Sequence, residues 1–390
     1  YTISLYEYGR LKSVTRYDAT GQQVSSTTYT YDDHGRQWQV TDARTGTTTY
    51  TYNNADLVQS VTTPDPDGAG PARPQTTITH YNQMLQATNV VQPDGTSVFT
   101  EYYPNGLIKK TWGSRTYPVE YTYDYAGRMK TMRTWQQFNH STGQGIAGAA
   151  VTTWNYDPYR GWLANKRYHD GTGPDYTYTP AGRLASRTWA RGNPRITTTY
   201  LYNPAGELQT IDYSDTTPDV TYSYDRLGRQ ITINSAGMTI NRVYSVTGLL
   251  LAERYTGGVL NGLVVTNIYD HVLRRTNLAV FNGQTRIYTV GYRYDAGGRL
   301  WMVSDGTNSA TYNYLANSAL VSQVLFTNNG VRRMVTTKQY DNLNRLTQIS
   351  NTGGTGSTLS SFTYTYNDAN QRVRVTLADG SYWLYEYDRL

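Results

Sequence analysis

The chain has 390 residues, a net charge of +6 from 35 basic and 29 acidic side chains, no cysteine and 38% hydrophobic residues. The lack of cysteine excludes disulfides and thiol chemistry, and no apolar run approaches the roughly 20 residues that a membrane-spanning helix needs. The basic residues are spread along the chain instead of clustered, which argues against a nucleic-acid surface.

One phrase, Tyr-Asp-x-x-Gly-Arg-Leu, recurs from one end of the chain to the other, with a period of about 24 residues that is typical of repeat arrays. The copies begin at Tyr8, Tyr31, Tyr52, Tyr81, Tyr102, Tyr123, Tyr156, Tyr178, Tyr202, Tyr224, Tyr244, Tyr269, Tyr294, Tyr314, Tyr340, Tyr366 and Tyr387. The positions that we assign to the repeat motif are Tyr31, Asp32, Gly35, Arg36, Tyr123, Asp124, Gly127, Arg128, Tyr178, Gly182, Arg183, Tyr224, Asp225, Gly228, Arg229, Tyr294, Asp295, Gly298, Arg299, Tyr340, Asp341, Asn344 and Arg345.

The motif tyrosine usually has a second tyrosine two residues earlier, as in Tyr29 and Tyr31, often with threonine between them. Strand side chains alternate between faces, so both rings are expected on one face of a sheet. Neighbouring strands would then build an aromatic ladder.

Asp-x-x-Gly predicts a type I turn, with aspartate at the first position and glycine, at positive φ, at the fourth. Asn344 and Asn370 stand at the glycine position and tolerate that conformation. Five other copies do not fit and are interpreted as degenerate: they carry Asp56, Leu85, Arg160, Leu273 and Ser318 there.

A second kind of turn lies between the motifs. It is seen, in chain order, at 18–21, 93–95, 304–306 and 379–380. Each period therefore holds two short strands and two turns, and strands joined by tight turns are antiparallel. No stretch has a helical period. The sequence predicts an all-β fold, a continuous antiparallel β-hairpin repeat array that coils.

We expect residues 1–390 to be a single repeat domain without a linker, with surface insertions near 63–75 and 139–150. The chain opens inside a repeat and stops partway through another, and Leu384–Leu390 nearly restates Leu5–Leu11. We therefore expect it to be a segment of a longer polypeptide.

Candidate chemistry in the chain is weak. Gly143–Gly148 matches a dinucleotide fingerprint, but it lies in a predicted insertion between antiparallel strands and not between a strand and a helix. Asp65, Asp67 and Gly68 offer too few oxygen ligands for calcium. The motif aspartates and arginines are explained by turns, by Asp–Arg pairing and by packing over tyrosine. We predict no catalytic, cofactor-binding or metal site, no cofactor, and no enzyme activity.

Several tryptophans follow a motif turn: Trp38, Trp112, Trp135, Trp189 and Trp301. They can form a sugar-stacking surface or pack toward the core of a sheet. We favour core packing.

Tyr-Asp-x-x-Gly-Arg-Leu at this period resembles the YD-repeat, or RHS-repeat, family over essentially the whole chain. Members include RHS polymorphic toxins, C components of insecticidal toxin complexes, wall-associated contact-inhibition proteins and teneurins. The resemblance implies a sheet that spirals into a hollow shell, which in the toxin members encloses a C-terminal cytotoxic domain. The family's self-cleaving core does not appear here, because Asp157-Pro158 lies inside an ordinary repeat.

These observations predict a structural shell wall that encapsulates a C-terminal toxin or effector located outside this segment. The alternatives are an extracellular adhesion or carbohydrate-binding surface, with glycans or cell-surface receptors as partners, and a self-assembling filament. The expected location is secreted or at a bacterial cell surface. The expected partners are the chain's own passenger or other parts of the same polypeptide.

Overall fold

A computed structural model describes residues 1–18, 20–68, 70, 72–114, 116–367 and 370–387. These residues form 33 strands, one 3-10 helix (Gly258–Leu260) and no α-helix. The last positions of the truncated copy at Tyr387, and Ala19 in the turn 18–21, lie outside the described residues.

The strands run from one end of the described chain to the other. The first half holds β1 Thr2–Glu7, β2 Arg10–Tyr17, β3 Gln23–Tyr31, β4 Gln37–Asp42, β5 Gly46–Tyr52, β6 Val58–Thr63, β7 Gln75–Tyr81, β8 Ala87–Val91, β9 Ser97–Tyr102, β10 Ile108–Gly113, β11 Val119–Tyr123, β12 Met129–Asn139, β13 Gln144–Tyr156, β14 Leu163–Arg167, β15 Asp175–Tyr178 and β16 Leu184–Thr188. The second half holds β17 Thr197–Tyr202, β18 Leu208–Tyr213, β19 Val220–Tyr224, β20 Gln230–Ser235, β21 Met238–Tyr244, β22 Leu250–Thr256, β23 Leu263–Tyr269, β24 Arg275–Asn282, β25 Thr285–Tyr294, β26 Leu300–Ser304, β27 Asn308–Tyr314, β28 Val321–Asn328, β29 Val331–Tyr340, β30 Leu346–Gly353, β31 Thr358–Tyr366, β32 Arg372–Leu377 and β33 Tyr382–Leu384.

All described strands belong to one sheet. Wherever the register of a pair is described, a strand runs antiparallel to the strand before or after it in the chain, as β3 does to β4 and β27 to β28. This confirms the predicted all-β hairpin array. It also places all motif turns on one edge of the sheet and all second turns on the other, because consecutive strands alternate in direction. We call these the motif-turn edge and the second-turn edge.

Most motif turns are four-residue turns closed by a left-handed residue. In the first full copy the Gly35 amide donates to the Asp32 carbonyl at 2.8 Å, and the Asp32 amide donates to the Arg36 carbonyl at 2.8 Å. The register shifts beside Tyr31, which leaves Trp38 as the extra residue of a β-bulge. A type I turn followed by such a bulge matches the twist of the two strands.

The fourth residue of the motif turn adopts the left-handed conformation in copies with glycine and in copies without it. Motif residues in this conformation include Gly35 (φ +82°), Gly127 (+76°), Gly182 (+81°), Gly228 (+74°), Gly298 (+79°), Asn344 (+60°) and Asn370 (+62°). The expectation for the two asparagines is confirmed. The interpretation of Asp56, Leu85 and Leu273 as misfits was wrong, because these residues adopt φ of +60°, +62° and +66°.

Two other copies differ in turn length. At Asp157 the turn is one residue longer, so that Gly161 (φ +72°) and not Arg160 takes the left-handed position. At Leu315 the closing hydrogen bond runs from the Leu315 amide to the Leu320 carbonyl, again one residue further along than in the regular copies. The interpretation of these two copies as exceptions is confirmed, because neither Arg160 nor Ser318 adopts a positive φ.

The tyrosine pairs share one face of the sheet. Tyr29 and Tyr31 are half-buried and the threonine between them is exposed, and the same alternation appears at Tyr50 and Tyr52. The bulge does not disturb this pattern, since the extra residue lies in the partner strand.

The described chain divides into two compact units. Unit 1 comprises residues 1–118, 138–144 and the chain from Val290 onward. Unit 2 comprises residues 119–137 and 145–289. Within unit 1 we call residues 1–118 the N-ribbon and residues 290–387 the C-ribbon.

The sheet is thinly covered. The accessible surface is 23208 Å² for a 44.0 kDa chain, against about 15,000 Å² for a compact monomer of that mass. Few described side chains are buried, among them Phe138, Val290 and Val324. Among the described residues, no helix has the length and apolar character needed to cross a membrane.

Candidate functional site

The motif side chains form a compact polar cluster at the turn. Asp32 Oδ1 accepts a hydrogen bond from the Arg36 amide at 2.8 Å, and Asp32 Oδ2 accepts one from Arg36 Nε at 2.7 Å. Burial alone would raise the pKa of the Asp32 carboxyl, but the hydrogen bonds and the charge of Arg36 lower it below its ordinary value. The carboxylate thus caps the turn and holds the arginine.

The same ion pair recurs in each full copy. The Nε–Oδ2 distances lie between 2.6 and 2.8 Å in the pairs Asp32–Arg36, Asp124–Arg128, Asp225–Arg229, Asp270–Arg274, Asp295–Arg299 and Asp341–Arg345. The pKa of Asp124, Asp225 and Asp270 is lowered for the same reason as that of Asp32: burial opposes the shift and the arginine bonds outweigh it.

The arginine also reaches the next repeat. Its guanidinium lies over the next motif tyrosine at 4.6 Å for Arg36 and Tyr52, and at 4.4 Å for Arg299 and Tyr314. The Arg299 Nη1 atom donates to the Ser318 carbonyl of the next turn at 2.9 Å. In these copies the arginine therefore links two successive repeats through a cation–π contact, and Arg299 adds a hydrogen bond.

The tyrosine completes the link in the reverse direction. Its hydroxyl donates to a backbone carbonyl of the preceding repeat at 2.6 to 2.9 Å: Tyr31 to Leu11, Tyr52 to Gln37, Tyr81 to Val58, Tyr102 to Ala87, Tyr156 to Met129, Tyr202 to Leu184, Tyr224 to Leu208, Tyr244 to Gln230, Tyr269 to Leu250, Tyr314 to Leu300, Tyr340 to Val321, Tyr366 to Leu346 and Tyr387 to Arg372. Burial raises the pKa of several of these phenols, Tyr52, Tyr314 and Tyr340 among them. We call the Asp, the Arg and the next Tyr the repeat staple.

Some copies depart from the full staple. In the copy at Tyr178, Thr179 replaces the aspartate, and its hydroxyl accepts the Arg183 amide at 3.1 Å. Arg183 still lies 5.8 Å from the ring of Tyr202. The motif tyrosines Tyr123 and Tyr294 hold the same place in the fold as those of the other copies, since they are the last residues of strands β11 and β25.

A second class of motif turn was not predicted. Asn82 Oδ1 accepts the Gln86 amide at 3.0 Å, and Asn82 Nδ2 donates to Gln86 Oε1 at 3.0 Å. The same arrangement joins Asn367 to Gln371, and Glu207 accepts from Asn203 in the same way. The signal was present in the sequence, as an Asn with Gln or Glu four residues later. We call these the amide-paired turns.

The two ribbons of unit 1 meet edge to edge. The Asn317 amide donates to the Pro66 carbonyl at 3.0 Å, and Asn317 Nδ2 donates to the Asp65 carbonyl at 2.9 Å. Gln75 Nε2 donates to Asn344 Oδ1 at 2.8 Å. Asn317 and Asp65 are 252 residues apart in the chain, and Asn344 and Gln75 are 269 residues apart.

Further contacts continue the same line. Gln371 donates to the hydroxyl of Tyr117, and a Cβ at Gly297 would lie 2.7 Å from Arg44 Cγ. In each case a motif turn of the C-ribbon, or the residue just after it, meets a second-turn segment of the N-ribbon. The 63–75 insertion is thus a docking segment in its described residues, where sequence predicted only a surface loop.

The 139–150 insertion, expected to be a surface loop, lies mostly in strand structure. It forms the end of the long hairpin β12–β13, and its tip packs on the sheet: Lys110 Nζ donates to the Gly143 carbonyl at 2.7 Å, and Trp112 Nε1 donates to the His140 carbonyl at 3.2 Å. Gly143–Gly148 runs from this tip into β13. No helix follows it, so a dinucleotide phosphate has no helix N-terminus to bind.

The calcium candidates Asp65, Asp67 and Gly68 lie in the docking segment between β6 and β7. Asp65 and Asp67 are neighbours, and a hydrogen bond between their side chains raises the pKa of Asp65. No group of three or more His, Cys, Asp or Glu side chains lies close enough to hold a metal ion among the described residues.

The tryptophans do not share one environment. Trp38 and Trp301 occupy bulge positions and are 46% and 39% exposed, so the expectation of core packing was wrong for both. Trp112 stacks on Phe99 with ring centroids 5.4 Å apart, and Trp189 donates to the hydroxyl of Thr198 at 2.9 Å.

Comparison with known proteins supports the repeat. Residues 31–67 match the family model of the RHS repeat. No curated protein matches the chain in sequence.

A solved structure with a TM-score above 0.5 shares the fold. A crystal structure of TcdB2-TccC3-TEV is 13% identical and covers 95% of this chain and 25% of that one, with a TM-score of 0.62. TcdB2-TccC3 (14% identical, 96% of this chain, 25% of that one) and a TccC3 mutant in the Photorhabdus luminescens Tc holotoxin pore (14%, 96%, 24%) both match with a TM-score of 0.41. The chain spans about a quarter of the length of these chains.

Proposed function

We propose, from the premise that this chain belongs to the RHS-repeat (YD-repeat) family, that it forms the wall of a β-shell that encloses a toxin or effector segment of the same polypeptide. In this role the whole of residues 1–390 acts as one structural repeat array. It has no catalytic role of its own, and it acts in a secreted or cell-surface protein.

The observation that carries the proposal is the edge-to-edge contact of the two ribbons. A single sheet encloses a volume only if its successive passes meet along their edges. The contacts of Asn317 with residues 65 and 66, and of Asn344 with Gln75, join the passes at the turns. The faces of the sheet stay uncovered by this contact, in keeping with the large accessible surface.

The repeat staple supports the same role. Stability in a repeat array is the sum of each repeat and its contacts with its neighbours. The tyrosine hydroxyl bond to the preceding repeat recurs in most copies, and six copies add the Asp–Arg pair. These links let a sheet one layer thick hold together without a thick core.

Electron microscopy of the natural polypeptide that contains this chain tests the proposal. We expect a closed particle whose wall is one sheet thick, with additional density inside, and protection of the enclosed segment from added protease. An open rod, or a particle whose interior is filled by the packed sheet itself, would contradict it.

A carbohydrate-binding surface is the alternative, and the exposure of Trp38 and Trp301 favours it. Binding on a glycan array that is lost in the Trp38→Ala and Trp301→Ala variants would support this alternative. The absence of binding at high protein concentration would count against it.

A further inference from the structure

Residues 176–206 of unit 2 concentrate positive charge. The basic residues are spread over the chain as a whole, but this segment holds four arginines and no lysine, histidine, aspartate or glutamate, against a net charge of +6 for all 390 residues. Two of the four, Arg187 and Arg191, flank Trp189 in the sequence. Like charges that lie close together repel each other, and an anion beside them removes that cost.

The fold places Arg187 and Trp189 on the face of the sheet that carries the tyrosine pairs. Arg187 in β16 lies opposite Tyr176 and Thr198 in the two neighbouring strands, so the three side chains share that face. The Trp189 ring lies there too, since its Nε1 atom donates to the hydroxyl of Thr198 at 2.9 Å. Thr198 is 1% exposed. The ring is therefore fixed on the sheet.

Two guanidinium groups lie over this one ring. The Arg187 guanidinium carbon is 3.5 Å from the centroid of the Trp189 ring, and that of Arg191 is 5.4 Å from it. Because both distances end at the same point, the two carbons are at most about 9 Å apart, the sum of the two distances. A guanidinium that stacks on a ring keeps its N–H donors in its own plane, where they can bind oxygen. Trp189 thus holds two forked donors close to each other.

These two arginines lack the partners that charged donors normally have. The Nε atom of Arg187 is buried and has no hydrogen-bond partner among the described residues. Arg191 is exposed, and the acid that it influences is Asp215 in a neighbouring turn. The pKa of Asp215 is lowered by the hydrogen bonds of Thr217 first and by the charge of Arg191 last, so this carboxylate belongs to its own turn. A buried charged donor without a partner points to an ion or a ligand.

The neighbouring arginines show how a guanidinium of this region is satisfied within the protein. Arg195 donates from Nη1 to Asp175 Oδ2 at 2.6 Å and from Nε to the Trp189 carbonyl at 2.7 Å. Arg167 pairs with the other oxygen of Asp175. Both oxygens of this carboxylate are therefore in use. The ion pairs of residues 166–195 leave out Arg187 and Arg191.

We propose that Arg187 and Arg191 bind a dianionic tetrahedral oxyanion, either free phosphate or sulfate or the phosphate group of a monoester. Two guanidiniums carry two positive charges, which one dianion neutralises, and the planar N–H fork matches pairs of oxygens on such a group. A single carboxylate carries one charge and would leave one guanidinium unpaired. The site involves neither Trp38 nor Trp301, and the inference does not depend on an enclosed passenger.

Isothermal titration calorimetry of the whole chain tests the proposal. The ligands are inorganic sulfate, inorganic phosphate and the monoester glucose 6-phosphate, at constant ionic strength and at a pH where phosphate is a dianion. We expect saturable binding of one ion per chain. Tighter binding of the monoester would assign the site to an esterified ligand, and tighter binding of the inorganic ions to a free ion. The proposal is overturned if none of the three binds saturably.

The Arg187→Gln/Arg191→Gln double variant should bind at least tenfold more weakly, since two charge-assisted contacts are lost. The matched control is Arg254→Gln/Arg286→Gln, which removes the same charge from two exposed arginines of β22 and β25 in unit 2. The control should bind like the wild type. Equal weakening in both double variants would show that only the net charge matters, and the site would be refuted.

Two further variants separate binding from folding and from charge. Arg191→Gln alone changes an exposed side chain, so it should keep the circular dichroism spectrum of the wild type and still weaken binding. Arg187→Lys/Arg191→Lys keeps both charges but loses the planar fork, and should bind about threefold or more weakly. Unchanged affinity in the lysine variant, or tighter binding of the dicarboxylate glutarate than of phosphate, would overturn the assignment to a tetrahedral oxyanion.

Discussion

The turns at Asp270 and Asn82 have the same backbone and different chemistry. In both turns the backbone amide of the first residue donates to the carbonyl four residues later at 2.9 Å. A left-handed leucine, Leu273 or Leu85, closes each turn. In the turn at Asp270 the side chains form an Asp–Arg ion pair, and in the turn at Asn82 they form an Asn–Gln amide pair.

This difference separates two functions of the motif. A side-chain oxygen at the first position and a left-handed residue at the fourth are enough to shape the turn. The charge adds the link to the next repeat, because arginine reaches over the following tyrosine at 4.4 to 5.0 Å in the copies at Arg36, Arg128, Arg229, Arg299 and Arg345. Glutamine has no charge for such a contact.

Removal of the motif tyrosine that follows a turn should lower the free energy of unfolding more than any of the other substitutions. The loss should be larger after an ion-paired turn than after an amide-paired turn. Tyr314 follows an ion-paired turn and Tyr102 an amide-paired one, and both hydroxyls bind a carbonyl of the preceding repeat. We expect Tyr314→Ala to cost about 3 kcal/mol, and Tyr102→Ala about 0.5–1 kcal/mol less, since no cation–π contact is lost. Hydrogen exchange of the hairpins β27–β28 and β9–β10 measures both.

The control is Tyr314→Phe, which removes only the hydroxyl and should cost about 1 kcal/mol. Equal losses for the two alanine variants would show that the arginine contact adds nothing to the link between repeats.

Exchange of the Asp–Arg pair for an Asn–Gln pair should cost less than loss of the aspartate alone. Asp270→Asn alone leaves Arg274 without its carboxylate and should cost about 1–2 kcal/mol. The double change Asp270→Asn/Arg274→Gln recreates the amide pair and should recover most of that loss, as contacting residues are coupled. Urea denaturation of the single and double variants measures the recovery. Additive losses would mean that the two pairs are not interchangeable.

Relief of the left-handed leucine should stabilise both classes alike. A left-handed conformation costs a side chain about 1–2 kcal/mol, so Leu273→Gly and Leu85→Gly should each raise the free energy of unfolding by about 1 kcal/mol. Val272→Gly, at a turn position with negative φ, is the matched control and should not stabilise. A loss of stability in the leucine variants would show that their side chains make contacts that outweigh the strain.

Acid should affect the ion-paired turn at Asp270 and not the Asn–Gln turn at Asn82, and only modestly, since partly exposed pairs contribute little. Burial raises the pKa of Asp270, but the Arg274 bonds lower it on balance below its unfolded value. The stabilisation is therefore present above the ordinary carboxyl pKa of about 4 and is lost as the pH falls through the lowered folded value. Hydrogen exchange, corrected for intrinsic rates, should show weaker protection of the Asp270 turn in acid than at neutral pH. Protection of the Asn82 turn should not change. Equal weakening at both would refute the assignment.

The sequence by itself determined the hairpin array, because its signals are local. Tyr-x-Tyr sets one face of a strand, and Asp-x-x-Gly sets a turn within a few residues. The same local reading identified Arg160 and Ser318 as exceptions without showing that their turns gained a residue, and it failed where leucine takes the left-handed position, because a lone sequence does not show turn length or backbone strain.

Only the tertiary structure decided which edges meet. Asn317 and Asp65 lie 252 residues apart, and neither stands in a pattern that marks it as a contact. Such pairs depend on the accumulated twist and bend of every strand between them, so small local differences decide the register. The position of Trp38 and Trp301 at exposed bulges has the same origin, since a bulge is defined by the register of two strands and not by the sequence of one.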